Sequence, residues 1–554
     1  MTGPDTYPEL PDSRSIRVLQ LHSATNPNDA IYFDLIAISL DEPPPDEAIS
    51  YTWSGQALDR PVYANDKAYL ITKNEEDIMR RLRPSRPGSF KDLWIDAICI
   101  NQKDDGEKSV QVKLMFEAYA KAQRVNIWLG QGSKSTALTL KWLRWYNSKR
   151  VFKTGLAELA SLEYWERAWT VQEANVNGSC FILCGSSVTF RLDLFYQSHY
   201  MIPPMYIFSS LNNSKLTQPY SLHMLDVYRT NVNSEFGNEI LDVLCRTKAT
   251  IPKDKLFAIR GVFPDSLGAL TVDYAASDGD VITEAAHIVL QETRNVIFFR
   301  YACQAGREDR FLTWVPPWTS SAHIPEWLRR FSPAVISQDA IVSDQEDRQV
   351  LKLKGLRVDK ATSLISERFP IISPLLVSWS RSLDVNLAYE TFVVFRDWIS
   401  TIGAANNEDT HMRQLASLIS EMMKLDYEEV LVWFSLIWHG DNFGMEALWD
   451  YGLSGGGQVC DCRKYTVNFL QLVSGRSFFT TDDERVGMST LVARGEDEIV
   501  QFTGEKLPYL IHKSLDYPGK YTLVAPCWLS GAVKGEELAG WSGTLGDLED
   551  IELV

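Results

Sequence analysis

Apolar positions in the first two hundred residues follow two rhythms in turn. "IRVLQLH" from Ile16 and "IYFDLIAISL" from Ile31 read as an entry hairpin, and beyond the polar, Pro-rich "DEPPPDE" comes another β-like run, "AISYTW". The rhythm then changes to helices separated by buried strands. "NEEDIMRRLR" and "EKSVQVKLMFEAYAKA" have helical period, the second placing Val112, Met115, Tyr119 and Ala122 on one face. "LWIDAICI", "RVNIWLG" and "CFILCG" are near-continuous apolar runs, the pattern of strands covered on both faces. Strands are predicted near 49–53, 93–100, 125–129 and 180–184. Together these elements predict an α/β domain over residues 15–204, a mostly parallel sheet flanked by helices.

The remainder divides by texture. Residues 1–14 read as a disordered lead-in, with no basic stretch leading into an apolar core as a signal peptide has. Residues 205–464 read as mainly helical. "SEFGNEILDVLCRTKATIPKDKLFAIRGVF" suggests two helices broken at Thr250 to Pro252, and "SDGDVITEAAHIVLQETR" a third, capped by Ser277 or Asp278. Residues 465–554 carry short runs such as "SFFTT", "DEIVQFTG", "PYLIHKS" and "YTLVAPCWLSG", punctuated by Gly, Pro and Asp, as in a small barrel or sandwich.

Composition narrows the class. The 554 residues are 45% hydrophobic and 23% charged, near globular averages, so a folded protein of several domains is expected. A formal net charge of -17 disfavours nucleic acid or an anionic membrane as partner. The apolar run "VLVWFSLIW" is about half of the ~18 residues that suggest a span, and the expected location is cytoplasmic. Eight scattered cysteines suit reduced thiols. Cys460 and Cys462 have no second pair or histidine doublet, so no metal is expected. Gly455 to Gly457 lack the Lys-Ser/Thr of a phosphate loop and read as a connector.

One stretch raises a chemical question. In "LEYWERAWTVQE" a helix would place Trp165, Trp169 and Glu173 at i, i+4 and i+8 on one stripe that ends in a carboxylate. The tryptophans read as core, and Glu173 either pairs at an edge or borders a site. In "WIDAICINQ", Asp96 interrupts an apolar strand, and Asn101 and Gln102 follow the strand's C-terminal end, where open α/β sheets bind ligands. Asp96 also fits a capping or internally paired role, and Cys99 a buried apolar one. Trp53 and Gly55 open a loop at the end of "AISYTWSG" that suits either a nucleotide pocket or a tight turn.

"AISYTWSG", "LWIDAICINQKDDGEKSVQVKLMFEAYAKAQRVNIWLG" and "YWERAWTVQE", in this order, resemble the fungal heterokaryon incompatibility (HET) domain family. The resemblance continues in "ILDVLCRTKATIPKDKLFAIRGV", "VDYAASDGDV", "LTWVPPW", "RSFFTTDDERVGM" and "KYTLVAPCWLSGAVKGE". Pro317 and Ser54 depart from the family's pattern. The resemblance implies a role in non-self recognition between fused hyphae, ending in programmed cell death. It also implies a TIR-like, flavodoxin-like strand order. Some TIR domains hydrolyse NAD with a glutamate in Ser-x-x-Tyr-x-x-Ser-x-Trp-Cys-x-x-Glu. Here Ser161, Tyr164, Trp169 and Glu173 match at those intervals, while Arg167 and Thr170 replace Ser and Cys. That likeness makes Glu173 the candidate catalytic carboxylate and Trp53, Asn101, Gln102 and Trp169 the candidate substrate contacts, with NAD as substrate and no bound cofactor. The alternative is a module without turnover that signals by self-association or by recruiting a partner, with an unidentified protein as trigger.

Overall fold

A computed structural model describes residues 7–145, 155–191, 244–303, 312–318, 340–342, 349–369, 397–398, 408–438, 469–530 and 545–554, less some positions inside these ranges. Ser54, Pro317, Gly455 to Gly457, Cys460 and Cys462 lie outside the described residues, as does most of the segment expected to be the helical middle. The chain forms two compact units. One comprises 1–288 with 318–321, and the other 289–317 with 322–554.

The first unit is built on a nine-stranded sheet. Its strands are β1 (Ser15–His22), β2 (Tyr32–Ser39), β3 (Glu47–Tyr51), β4 (Arg60–Ala64), β5 (Lys67–Ile71), β6 (Phe90–Trp94), β7 (Arg124–Trp128), β8 (Cys180–Cys184) and β9 (Val188–Arg191). They lie in the order β5-β4-β2-β1-β6-β3-β7-β8-β9. The sheet is mixed, with the expected parallel character concentrated in the central run β6-β3-β7-β8. The entry hairpin β1–β2 is antiparallel, in register from Ser15↔Ser39 to Leu21↔Phe33. Every residue of β3 is buried, as its central place in the sheet requires.

Helices α1 (Lys73–Leu82), α2 (Asp96–Cys99), α3 (Asp105–Lys121), α4 (Lys134–Trp145), α5 (Ala168–Asn175) and α6 (Asp254–Arg260) accompany the strands, and α7 (Asp278–Thr293) begins in this unit and ends in the second. Local chemistry sets their starts. Thr72 and Glu75 form a reciprocal capping box at α1, Asp104 accepts the Glu107 N–H at α3, and Ser277 accepts the Asp280 N–H at 3.1 Å ahead of α7.

Two sequence expectations need correction. The strand expected over 93–100 ends at Trp94, and Asp96–Cys99 is a helical turn. The N–H groups of Ile98 and Cys99 turn back to the Ile95 carbonyl at 3.0 and 2.8 Å. An unbroken apolar run cannot by itself separate a strand from a buried turn. The single helix expected over Leu162–Glu173 is also two pieces: a 3-10 turn at Glu163–Glu166, then α5. Arg167 between them is extended, at φ -79 and ψ 138. A distant segment causes the break, because Lys248 receives the Ala168 N–H at 2.9 Å and donates its own to Glu166 at 2.6 Å.

The second unit is organised by β10 (Leu351–Ile365), β11 (Ser477–Thr481), β12 (Val486–Ser489), β13 (Glu498–Phe502), β14 (Pro508–Lys513), β15 (Tyr521–Leu529) and β16 (Glu549–Leu553). The order is β11-β12-β15-β14-β13-β10-β16, and β10 also pairs with β11, which closes six strands into a ring. The long β10 comes from the segment expected to be helical, and it shifts register at Arg357/Asp359 and again at Ala361/Ile365. Such irregularities bend a strand enough to serve both sides of a closed sheet. Leu356, Ala361, Phe479, Ile499, Leu510 and Leu529 fill the interior. Gly487 lies opposite Phe479, where any side chain would overlap the aromatic ring. Helices α8 (Glu408–Met423) and α9 (Tyr427–Trp438) belong to this unit. No helix among the described residues is long and apolar enough to cross a membrane.

Candidate functional site

A cavity of about 470 Å³ opens beyond the ends of the central strands of the first unit. It lies where the loop after β3, the α2 turn and the start of α5 come together. Trp53, Gln102, Arg167 and Trp169 line it on this side, with Asp96 as a nearly buried lining residue, 7% exposed. The facing wall comes from the chain around α6, through Lys248, Thr250 and Asp254, and from Tyr274.

Backbone breaks aim these side chains. The extended Arg167 directs its guanidinium to the Tyr51 carbonyl and over the Trp53 ring, 5.8 Å from the centroid. Thr170 at the start of α5 donates its hydroxyl to the Arg167 carbonyl at 2.8 Å, which fixes the turn from which Trp169 projects. Trp165 separates from Trp169 at this break. Its indole N–H donates to the Leu159 carbonyl at 2.7 Å, its ring packs edge-on against Tyr164, and it is buried, as a core residue. Trp169 is half-buried and hydrogen-bonds Asp254 across the cavity.

Glu173 is 2% exposed and stands behind the lining, one helical turn beyond Trp169. The Ser50 hydroxyl donates to its carboxylate, and the Tyr164 hydroxyl lies 2.6 Å from the same Ser50 oxygen. Burial pushes the Glu173 carboxyl above its ordinary pKa, against the lowering influence of Arg167 and the Ser50 hydrogen bond. Asp96 is pushed from the usual 3.8 to about 8, first by burial and then by the charge on Glu173, with Arg167 opposing. Its carboxyl accepts a hydrogen bond from the Ala97 N–H to Oδ1 at 2.8 Å.

The other sequence candidates divide. Gln102 lines the cavity and donates its amide to the Asp96 carbonyl at 3.2 Å. Asn101 instead serves the turn into α3: its Oδ1 accepts the Lys103 N–H at 3.2 Å, and its own N–H donates to Glu107 at 2.9 Å. Glu107 is held in turn by the buried Arg17 at 2.6 and 2.9 Å, which ties this loop to β1. Cys99 is buried and accepts the Ile95 N–H at 3.4 Å. Among the described residues no group of three His, Cys, Asp or Glu is arranged to hold a metal ion.

Sequence reasoning passed over Arg167, Asp254 and Tyr274 as site residues. Arg167 stood out only as a departure from a motif. Asp254 and Tyr274 sit in ordinary-looking segments, yet the Tyr274 hydroxyl donates to Asp254 at 2.6 Å, and Lys108 of α3 lies 3.9 Å above the Tyr274 ring.

Residues 47–173 match the model of the heterokaryon incompatibility protein family, HET. The chain carries a HET domain. Its match begins with β3 and ends on Glu173, so the facing wall of the cavity comes from outside the matched segment. "Heterokaryon incompatibility protein 6, OR allele" from Neurospora crassa is 36% identical to this chain in an alignment of 129 residues that covers 21% of this chain and 19% of that protein. The likeness therefore spans about a fifth of the relative's length. No solved structure matches the chain.

Proposed function

We propose that this HET-domain protein acts in fungal vegetative incompatibility as a cell-death effector, by cleaving the nicotinamide-ribose bond of NAD in the cavity beside Asp96. The domain match and the named relative support the biological role. The run of four parallel strands flanked by helices supports a TIR-like reading of the fold. The chemical reading is carried by one observation: Asp96, a buried acid in the lining, and Glu173, buried behind the lining, stand with Arg167 beside a cavity walled by Trp53 and Trp169. Departure of nicotinamide leaves positive charge on the ribose. A fixed carboxylate in a site shielded from water stabilises that charge or captures it covalently. Trp53 and Trp169 would flank the ring, and Gln102 and Asn101 lie on the loop that would meet the ribose or amide.

The enclosure of Glu173 favours a second reading, in which the Ser50–Glu173–Tyr164 network only ties α5 to β3 and the domain signals by self-association or partner recruitment. Nicotinamide release by the purified full chain separates the two. In the enzymatic reading Glu173→Gln, which keeps volume and removes charge, loses about a thousandfold in rate, an effect on the order of 4 kcal/mol for a carboxylate near a developing cation. An active Glu173→Gln protein would make the carboxyl structural only.

A further inference from the structure

Charge balance around Asp96 points to the kind of ring the cavity accepts. Asp96 is a cavity-lining carboxyl, more than nine-tenths buried, and among the described residues it has one hydrogen bond on Oδ1 and none on Oδ2. Glu173 of α5 and Glu75 of α1 face it as acids, and Arg167 as a base. Glu75 is already satisfied by the Tyr51 hydroxyl at 2.5 Å and by the Thr72 N–H and hydroxyl at 2.5 and 2.8 Å. Tyr51 of β3, Tyr119 of α3 and Cys99 of α2 also face the acid pair, and burial keeps all three neutral. Across the cavity, Asp254 is engaged by Tyr274 and Trp169, with Lys108 beside it. Lys103, Lys248 and Glu163 also line the cavity, Lys248 paired with Glu166, while the charges that bear on Asp96 itself are Glu173, Glu75 and Arg167. Hydrogen bonds do not cancel the charge of Glu75, so the carboxyls about Asp96 outnumber the one guanidinium, and in a buried setting that excess favours at least one proton held between Asp96 and Glu173.

We propose that the cavity selects ligands with a cationic heteroaromatic ring, and that binding one releases a proton from the Asp96–Glu173 pair to solvent. The arriving positive charge replaces the proton and leaves the total charge of the site unchanged. Aromatic walls at Trp53 and Trp169 suit a flat cation. A neutral ring of the same shape offers nothing to balance the second carboxylate. The proposal rests on the NAD reading for its biological ligand, since oxidised NAD carries a pyridinium ring and the reduced form a neutral dihydropyridine.

The test is calorimetric titration of the full chain at pH 7 with N-methylnicotinamide cation and with neutral nicotinamide, in phosphate and in Tris, whose ionisation heats differ. The cation is expected to bind with release of up to about one proton, and its affinity to rise up to about tenfold per pH unit between about pH 6 and 8. Nicotinamide is expected to bind more weakly and without proton release, and Asp96→Asn to abolish the release. The pH series on the unaltered chain stands even if that variant fails to fold. Equal binding of both rings, cation binding without proton release, or no binding of either overturns the proposal. The NAD reading is judged separately by nicotinamide release from NAD, so proton-linked cation binding without cleavage would leave this inference standing and remove that reading.

Discussion

Replacing Asp96 by Asn tests the electrostatics of the site with no substrate present. Folding takes this carboxyl from the usual 3.8 to about 8, so between those values the folded chain holds a proton that the unfolded chain has lost. Stability from this group is fully present below about pH 4 and falls as pH rises towards 8. One proton corresponds to about 1.4 kcal/mol per pH unit, so from about pH 5 to pH 7.5 the loss is roughly 3 kcal/mol. Asn cannot ionise, and the difference in stability between Asp96→Asn and the unaltered chain should grow in the variant's favour by that amount over that range. Two compact units make a single whole-chain transition a poor readout. Hydrogen exchange of β3 and α5 amides, corrected for the intrinsic pH dependence, reports the unit that carries the site. Parallel pH profiles for the two proteins would refute the placement of Asp96 as a buried, proton-holding acid.

Other perturbations probe the rest of the account. Arg300 and Glu505 form a buried ion pair in the second unit, at 5% and 1% exposure, with the Tyr509 hydroxyl 3.2 Å from the same carboxylate. Arg300→Met should cost about 3–5 kcal/mol by leaving that charge uncompensated, read as lost protection of β13 and β14 amides; a loss below about 1 kcal/mol would contradict the burial. Thr72→Ala removes one arm of the α1 capping box and should cost about 1 kcal/mol, seen as faster exchange in the first turn of α1, with no change counting against the box.

Apolar runs mark the central strands in the bare sequence, because a strand covered on both faces leaves few polar positions. The same signal over-extended the 93–100 strand, since nothing in "WIDAICI" marks where a buried chain turns helical. The α5 region shows a second limit. Trp165 and Trp169 have helical spacing, but the extended Arg167 between them is set by Lys248, far along the chain. Asp96 was conspicuous as an acid in apolar company, although its relation to Glu173 depends on how β3, α2 and α5 meet. The wall from Lys248 to Tyr274 has no local pattern that ties it to a site, and only the folded chain brings it there.

Nicotinamide release from NAD by the purified full chain, followed over increasing protein concentration, decides whether the cavity beside Asp96 is a catalytic site. Release above the spontaneous rate is expected, reduced by about a thousandfold in Glu173→Gln while the hydrogen-exchange pattern of α5 is retained. NAD left intact by a folded chain at every concentration would contradict it and leave the domain as a module that acts by association.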